Sequence, residues 1–111
     1  MYSKDEAIIS QMLEIIDKIH SYTMLFTTPA EFLDDSKSFD ATLMNFIALG
    51  EIVMKLTESF KEKHTDIDWI KIYDFRNVIA HDYFGVDEEE VFQIIRNHLP
   101  LLKSDLLKIF P

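Results

Sequence analysis

The scarcity of helix-breaking residues constrains the fold of this sequence more than any other feature. The chain of 111 residues contains two glycines and three prolines, which are too few for the tight turns of a hairpin-rich β-protein. Its apolar residues recur instead at helical spacing, in stretches rich in the helix-favouring Leu, Ile, Met, Lys and Glu. The sequence therefore predicts an all-α protein, and residues 1–111 have a length that suits a single domain.

Two start signals define the first helices. Ser3 and Glu6 have the S-x-x-E spacing of a capping box, which predicts a long amphipathic helix over about residues 4–27. Thr28 followed by Pro29 is a second start signal, because proline is favoured at the first helical position. The polar residues that soon follow favour a short helix that connects two long ones.

Two further helices are predicted in the middle of the chain. The second long helix covers residues 39–63 and contains Gly50, where glycine costs about 1 kcal/mol relative to alanine. The bare backbone at Gly50 would let another helix approach closely. The third long helix is predicted to begin near Trp69, with Asp66 or Asp68 as its cap.

The last long helix is marked by its charges. The acidic run at residues 87–90 follows Gly85, and carboxylates stabilise the positive end of a helix dipole. Pro100 is expected to kink or restart this helix before its final segment. Together the signals predict an up-and-down bundle of four principal helices plus a short connecting helix.

The charge balance limits what the chain can bind by electrostatics alone. Eleven Lys and Arg stand against twenty Asp and Glu, so the formal net charge is −9, which opposes non-specific attraction to a polyphosphate. Any contact with RNA is therefore expected to be local or to come from another subunit. The amino terminus lacks a signal core and no apolar stretch would span a membrane, so a soluble cytoplasmic protein is expected.

The sequence offers few thiol and imidazole groups for metal binding or redox chemistry. Cysteine is absent, which excludes disulfides, a catalytic thiol and cysteine-ligated metals. His20, His64 and His98 are scattered and form no i, i+4 pair. Neither a metal site nor a cofactor is expected from this pattern.

One dense polar cluster, residues 76–83, contrasts with the segregated apolar and acidic positions elsewhere. Arg76 is one of two arginines, and its planar guanidinium suits a phosphate better than a lysine does. His81 can take and return a proton near neutral pH. This pair could cleave RNA without metal, with His81 moving the proton of a ribose 2′-hydroxyl or of the leaving oxygen while Arg76 stabilises the phosphoryl charge.

Helix geometry separates these two groups. Five residues advance about 500°, so His81 lies roughly 140° around a straight helix from Arg76, whereas Tyr83 returns to within about 20° of Arg76. Either the helix loosens near Ala80, or a cleft gathers an arginine and a histidine from two copies of the chain. We favour a combination of the two.

Five short motifs between residues 48 and 102 carry a resemblance to a known family. They are Leu49-Gly50-Glu51, Ile67-Asp68-Trp69, Phe75-Arg76-Asn77, the run from His81 to Asp87, and Leu99-Pro100. With them the sequence resembles the HepT-type HEPN family of small helical toxins, which are encoded beside a minimal nucleotidyltransferase antitoxin of the MNT type. Two positions depart from the family pattern, since Asp68 replaces a proline and Phe92 an aromatic that is often tryptophan.

The resemblance implies a HEPN fold and a homodimer in which two R-x-x-x-x-H elements face each other across a cleft. It further implies metal-independent endoribonuclease activity. Arg76 and His81 become the catalytic pair, Asn77 a supporting polar group, and Glu51 a residue that orients His81 or Arg76. Tyr83 matches the tyrosine that the partner nucleotidyltransferase modifies with AMP, which would add anionic charge and bulk beside Arg76.

Each assignment has a simpler alternative. Arg76 could form an ion pair with one of the many carboxylates, and Tyr83 could form a partly buried aromatic pair with Phe84. His81 could be a residue at a helix C-terminus that the helix dipole stabilises, and Glu51 could be solvent-exposed or a structural acceptor. At the level of function, the alternative is a non-catalytic helical partner. Such a protein would use Tyr83 and its acidic surface only to dock the nucleotidyltransferase.

Overall fold

Helices account for the regular structure of the computed structural model, which describes residues 3–109 and contains no β-strand within that range. A 3₁₀ turn (Tyr83–Gly85) follows the fifth helix, and a π-helical turn (Ile94–His98) joins the last two. The all-α prediction is confirmed. In chain order the helices are α1 (Lys4–Thr23), α2 (Pro29–Asp34), α3 (Ser36–Val53), α4 (Glu58–Lys63), α5 (Trp69–His81), α6 (Glu88–Gln93) and α7 (Leu99–Ile109).

Several predicted caps begin the helices to which they were assigned. The Ser3 hydroxyl accepts a hydrogen bond from the backbone N–H of Glu6 at 3.1 Å at the start of α1. Thr28 and Glu31 form a complete capping box at α2. Of the two candidate caps for α5, the residue used is Asp68, whose carboxylate accepts from a backbone N–H in the first turn of α5. These caps satisfy amide groups that have no partner inside the helix.

The prediction of one helix over residues 39–63 is wrong, because α3 ends at Val53 and the chain turns before α4 begins. Thr57 starts α4, since its hydroxyl accepts from the N–H of Phe60 at 3.3 Å. The carboxylate of Asp5 on α1 in turn accepts from the N–H and hydroxyl of Thr57, at 2.9 and 2.8 Å. Val53 and Leu56 are both buried, so the apolar spacing continues across the break and conceals it.

α1 also ends earlier than predicted, at Thr23 rather than near residue 27. A guanidinium nitrogen of Arg96 donates to the carbonyls of Thr23 and Phe26, both at 2.6 Å. Its guanidinium carbon also lies 4.5 Å from the centre of the Phe92 ring, which is a cation–π distance. These contacts hold residues 23–26 in a turn, although the helical spacing of the apolar residues continues through this segment.

The π-helical turn accommodates Pro100 inside the last principal helix. Proline lacks an N–H, and its ring clashes with the carbonyl four residues earlier in a regular α-helix. In this turn the N–H of Leu99 bonds to the carbonyl of Ile94, five residues back, and α7 then continues to Ile109. The predicted kink or restart at Pro100 therefore takes the form of a π-helical turn.

The core is built around α3, which packs against both α1 and α5. α3 and α5 come especially close at Gly50, where an added Cβ would lie 2.2 Å from the Cβ of Arg76 and 3.4 Å from the carbonyl oxygen of Ile72. The expectation that Gly50 permits close helix packing fits this crossing. Fully buried side chains of the core include Ile9, Met12, Ile19, Phe32, Leu43, Ile79 and Leu106.

Membrane-spanning helices are not found in this part of the chain. Within residues 3–109, no helix is both long enough and apolar enough to cross a bilayer.

Gly50→Ala should destabilise the protein although alanine favours helix by about 1 kcal/mol. The new Cβ would overlap the stem of Arg76, and forced displacement of this kind costs about 1–3 kcal/mol. Urea unfolding followed by circular dichroism measures the change. Ala48→Gly on the exposed face of the same helix is the matched control and should lose about 1 kcal/mol by propensity alone. An unchanged or raised stability of Gly50→Ala would contradict the close crossing.

Candidate functional site

The predicted polar cluster begins on α5 and continues past its end. α5 remains a regular α-helix through His81, so the expected loosening near Ala80 does not occur. Arg76 and His81 therefore keep the angular separation of roughly 140° that a straight helix imposes. The helix ends only at Asp82, whose φ of −143° and ψ of 74° are not helical.

Arg76 is held by two neighbours. Its Nε donates to Oε1 of Glu51 at 3.1 Å, and Nη2 donates to the same oxygen. Its Nη1 donates to the side-chain carbonyl of Asn77 at 2.9 Å. Of the two roles expected for Glu51, the structure shows the contact with Arg76, which is also the ion pair of the simpler alternative.

The pair of Arg76 and Glu51 remains accessible to an anion. The side chain of Arg76 is 28% exposed and that of Glu51 is 55% exposed. Ion pairs with this much water contact contribute little net stability. A phosphate could therefore share or replace the carboxylate contact without disrupting the bundle.

His81 lies at the last position of α5 and is exposed. Within the described part of the chain, its imidazole forms no side-chain hydrogen bond or ion pair. Both ring nitrogens are therefore available to exchange a proton with a ligand.

Arg76 and His81 border one open depression of about 530 Å³. All of its lining residues belong to α5: Arg76, Asn77, Val78, Ala80 and His81. A hollow lined by one helix has a single wall, and the side chain of Val78 within it is 55% exposed. The structure thus brings Arg76, Asn77 and His81 to the same hollow, with Glu51 behind the guanidinium, and leaves the opposite side open.

Tyr83 occupies a different place from the one predicted. It lies on the 3₁₀ turn, so the expected alignment with Arg76 on a continuous α5 does not apply. Its hydroxyl donates to Oδ1 of Asp40 on α3 at 2.9 Å. Burial, followed by the hydrogen bond to Asp40 and the charge of that carboxylate, raises the pKa of Tyr83 above its usual value.

α3 links the two ends of the cluster. Eleven residues separate Asp40 from Glu51, which is about three turns, so the two carboxylates lie within roughly 20° of each other around α3 and about 16 Å apart along it. Tyr83 is held at one end of this row and Arg76 at the other. Asp40 was absent from the sequence-based site, because nothing in the local sequence connects it with a tyrosine 43 residues away.

The 3₁₀ turn is closed by Asp82. Its Oδ1 accepts from the N–H of Gly85 at 3.1 Å, and a Cβ on Gly85 would lie 2.1 Å from Oδ2 of the same carboxylate. The φ of Gly85 is not positive, so a side chain here would displace the Asp82 carboxylate rather than strain the backbone. The turn presents Phe84 with 99% exposure.

The acidic side chains and histidines of residues 3–109 do not cluster as metal ligands. No group of three or more of them is arranged to hold an ion in that range.

Comparison with known proteins identifies similar sequences. The family described as "Ribonuclease HepT-like" matches residues 12–109. A protein of Methanocaldococcus jannaschii named "Putative RNase" is 31% identical over 93 residues, which cover 84% of this chain and 73% of the relative. A "Probable ribonuclease HepT" of Thermococcus cleftensis is 27% identical over 101 residues, or 91% of each chain.

One relative is considerably longer than this chain. A "Gamma-glutamylcyclotransferase and putative RNase" of Methanocaldococcus jannaschii is 30% identical over 101 residues, which cover 91% of this chain but only 45% of the relative. No solved structure matches the chain to a significant degree.

The contact between Tyr83 and Asp40 predicts that Tyr83 ionises at a higher pH than an ordinary tyrosine. In an alkaline spectrophotometric titration, Tyr83→Phe should remove the latest step, because burial and the Asp40 carboxylate both disfavour the phenolate. Asp40→Asn keeps an acceptor but removes the charge, and should bring that step to lower pH. The stability due to this contact is present below the unfolded pKa of about 10 and is lost as pH rises through the raised pKa.

Tyr73→Phe is the matched control for the removal of one tyrosine and should leave the late step in place. The assignment is contradicted if the late step persists in Tyr83→Phe.

Proposed function

Since this chain belongs to the HepT-like ribonuclease family, we propose that it is a metal-independent endoribonuclease with Arg76 and His81 as its catalytic pair. The observation that carries the proposal is the open depression bordered by both side chains. A guanidinium can bind the scissile phosphate, and a free imidazole can move protons. Asn77 and Glu51 are the positioning residues, because both contact the guanidinium of Arg76.

The chemistry needs only groups of the protein and the RNA. An imidazole removes the proton of a ribose 2′-hydroxyl, the oxygen attacks the adjacent phosphorus, and the bond from phosphorus to the 5′-oxygen breaks. A proton is delivered to that leaving oxygen, and a 2′,3′-cyclic phosphate remains on the other product. Arg76 stabilises the charge that develops on the non-bridging oxygens.

A homodimer would complete this site. The depression has one wall, α5, along which roughly 140° of helix rotation separates Arg76 from His81. The exposed Val78 lies between them in sequence. Twofold packing of the α5 helices would supply the missing wall and bring together an arginine and a histidine from different copies.

The same site could be silenced at Tyr83 by an MNT-type nucleotidyltransferase antitoxin. In this step the phenol oxygen attacks the α-phosphorus of ATP, pyrophosphate leaves, and Asp40 is positioned to accept the phenolic proton, since it already receives that hydrogen bond at 2.9 Å. AMP on Tyr83 would break this hydrogen bond and place an anionic phosphate near the Asp40 carboxylate. Charge and bulk two residues beyond His81 would oppose the binding of RNA phosphates. The cytoplasm, which supplies both RNA and ATP, is the proposed location.

Cleavage should depend on both proposed catalytic residues. His81→Ala is expected to lower the cleavage of a labelled single-stranded RNA by at least about 100-fold in buffer with chelator, because proton transfer contributes about 10²–10⁴-fold. Arg76→Ala should cause a comparable loss. His20→Ala, which changes another exposed histidine on α1, is the control and should retain activity.

Mixing the two inactive variants tests the arrangement of the dimer. If each site uses Arg76 of one copy and His81 of the other, a heterodimer of Arg76→Ala with His81→Ala contains one intact site and recovers cleavage. Sites built within one copy give no recovery. If the wild-type protein cleaves no more RNA than His81→Ala, the catalytic proposal fails and the docking alternative is favoured.

Modification should be confined to Tyr83. Incubation with the cognate nucleotidyltransferase and ATP should add about 329 Da to the peptide that contains Tyr83, the mass of one covalent AMP adduct. Asp40→Asn should slow the labelling without abolishing it, and mass spectrometry of the digested protein measures both. Labelling only at Tyr22 or Tyr73 would contradict the assignment.

A further inference from the structure

Phe84 is the most exposed large hydrophobic side chain of residues 3–109, with 99% of its surface in contact with solvent. We propose that its ring is a stacking platform for a nucleobase of the RNA substrate, beside the depression that contains Arg76 and His81. The inference rests on the proposed ribonuclease function and adds a substrate-positioning residue to it.

The ring of Phe84 is presented by a fixed support. Asp82 closes the 3₁₀ turn onto the N–H of Gly85, and Tyr83 ties the turn to Asp40 on α3. The rings of Phe84 and Tyr83 meet edge to face, with centres 5.7 Å apart and planes inclined at 79°. Near-complete exposure leaves the faces of the Phe84 ring accessible to a flat ligand.

The position of Phe84 suits a nucleotide next to the scissile bond. Phe84 lies three residues beyond His81 in the sequence, and a chain segment of this length spans at most about 11 Å. A nucleotide whose phosphate is bound near Arg76 and His81 could therefore place a neighbouring base over this ring.

Electrostatics gives the chain little other means of holding RNA. The net charge is −9, Arg76 shares its guanidinium with Glu51, and Arg96 is bound to backbone carbonyls. Stacking of a base on an aromatic ring does not require positive charge, and it is a common way of binding single-stranded RNA. Phe84 buries almost nothing, so its ring is not explained by packing within this chain.

The first test measures binding without cleavage. In the full-length His81→Ala protein, fluorescence anisotropy with a labelled single-stranded RNA should show that Phe84→Ala weakens binding by roughly five- to 150-fold, the range for one lost stacking contact. Phe84→Trp keeps an aromatic face and should bind RNA as Phe84 does. Phe84→Leu has no aromatic face and should bind as weakly as Phe84→Ala. In the protein with intact His81, Phe84→Ala should raise KM and change kcat by less than about twofold.

An abasic scan identifies the stacked base directly. RNAs that each lack one base are compared in their binding to two proteins, the His81→Ala variant and the double variant that also carries Phe84→Ala. One abasic position should cost about tenfold when Phe84 is present and have no effect after Phe84→Ala, since one stacked base is worth about 1–3 kcal/mol. This measurement requires no cleavage. If the abasic position lowers affinity only when Phe84 is present but the wild-type protein does not cut RNA, the catalytic proposal fails and the stacking proposal stands.

Three results would overturn the stacking proposal. Equal RNA affinity before and after Phe84→Ala would show that the ring does not contact RNA. Equal affinity of Phe84→Leu would indicate general apolar packing. Dissociation of the dimer by Phe84→Ala, measured by analytical ultracentrifugation, would assign the ring to the contact between copies.

Discussion

The close crossing of α3 and α5 at Gly50 is the contact on which the candidate site depends. A side chain at Gly50 would occupy the space of the first carbons of Arg76, so the missing Cβ allows the arginine stem to lie against α3. The guanidinium then reaches Glu51, the next residue of that helix. One glycine therefore sets both the packing of α3 against α5 and the direction of the proposed phosphate-binding group. A substitution that changes this helix crossing would also move the site.

α3 contributes carboxylates to the site rather than reactive groups. Glu51 holds Arg76, and Asp40 holds Tyr83, with about three helical turns between them. The straightness of α3 therefore fixes the separation of the proposed catalytic centre from the proposed point of modification. The positions of Arg76 and Tyr83 follow from contacts with another helix, whereas His81 depends only on α5.

The sequence predicted those features that neighbouring residues determine. The caps at Ser3, Thr28 and Asp68 and the all-α class follow from local patterns. The break before Thr57 was missed because the apolar period continues across it. The partners of Tyr83 and Arg96 were missed because they lie 43 and at least 70 residues away, and local patterns carry no information on such pairings. The proposed roles of Arg76 and His81 rest on their motif, and both these roles and the meeting of the two groups across a dimer stay predictions.

The contact of Arg96 with the end of α1 has a consequence for the order in which the protein folds. Its donor lies 73 residues beyond the Thr23 carbonyl, and contacts between distant residues form late because a long loop must close first. On a ribosome, the first helix is synthesised long before the arginine that fixes its end. The amino-terminal part of the nascent chain therefore cannot reach its final arrangement until 73 residues beyond Thr23 have been synthesised.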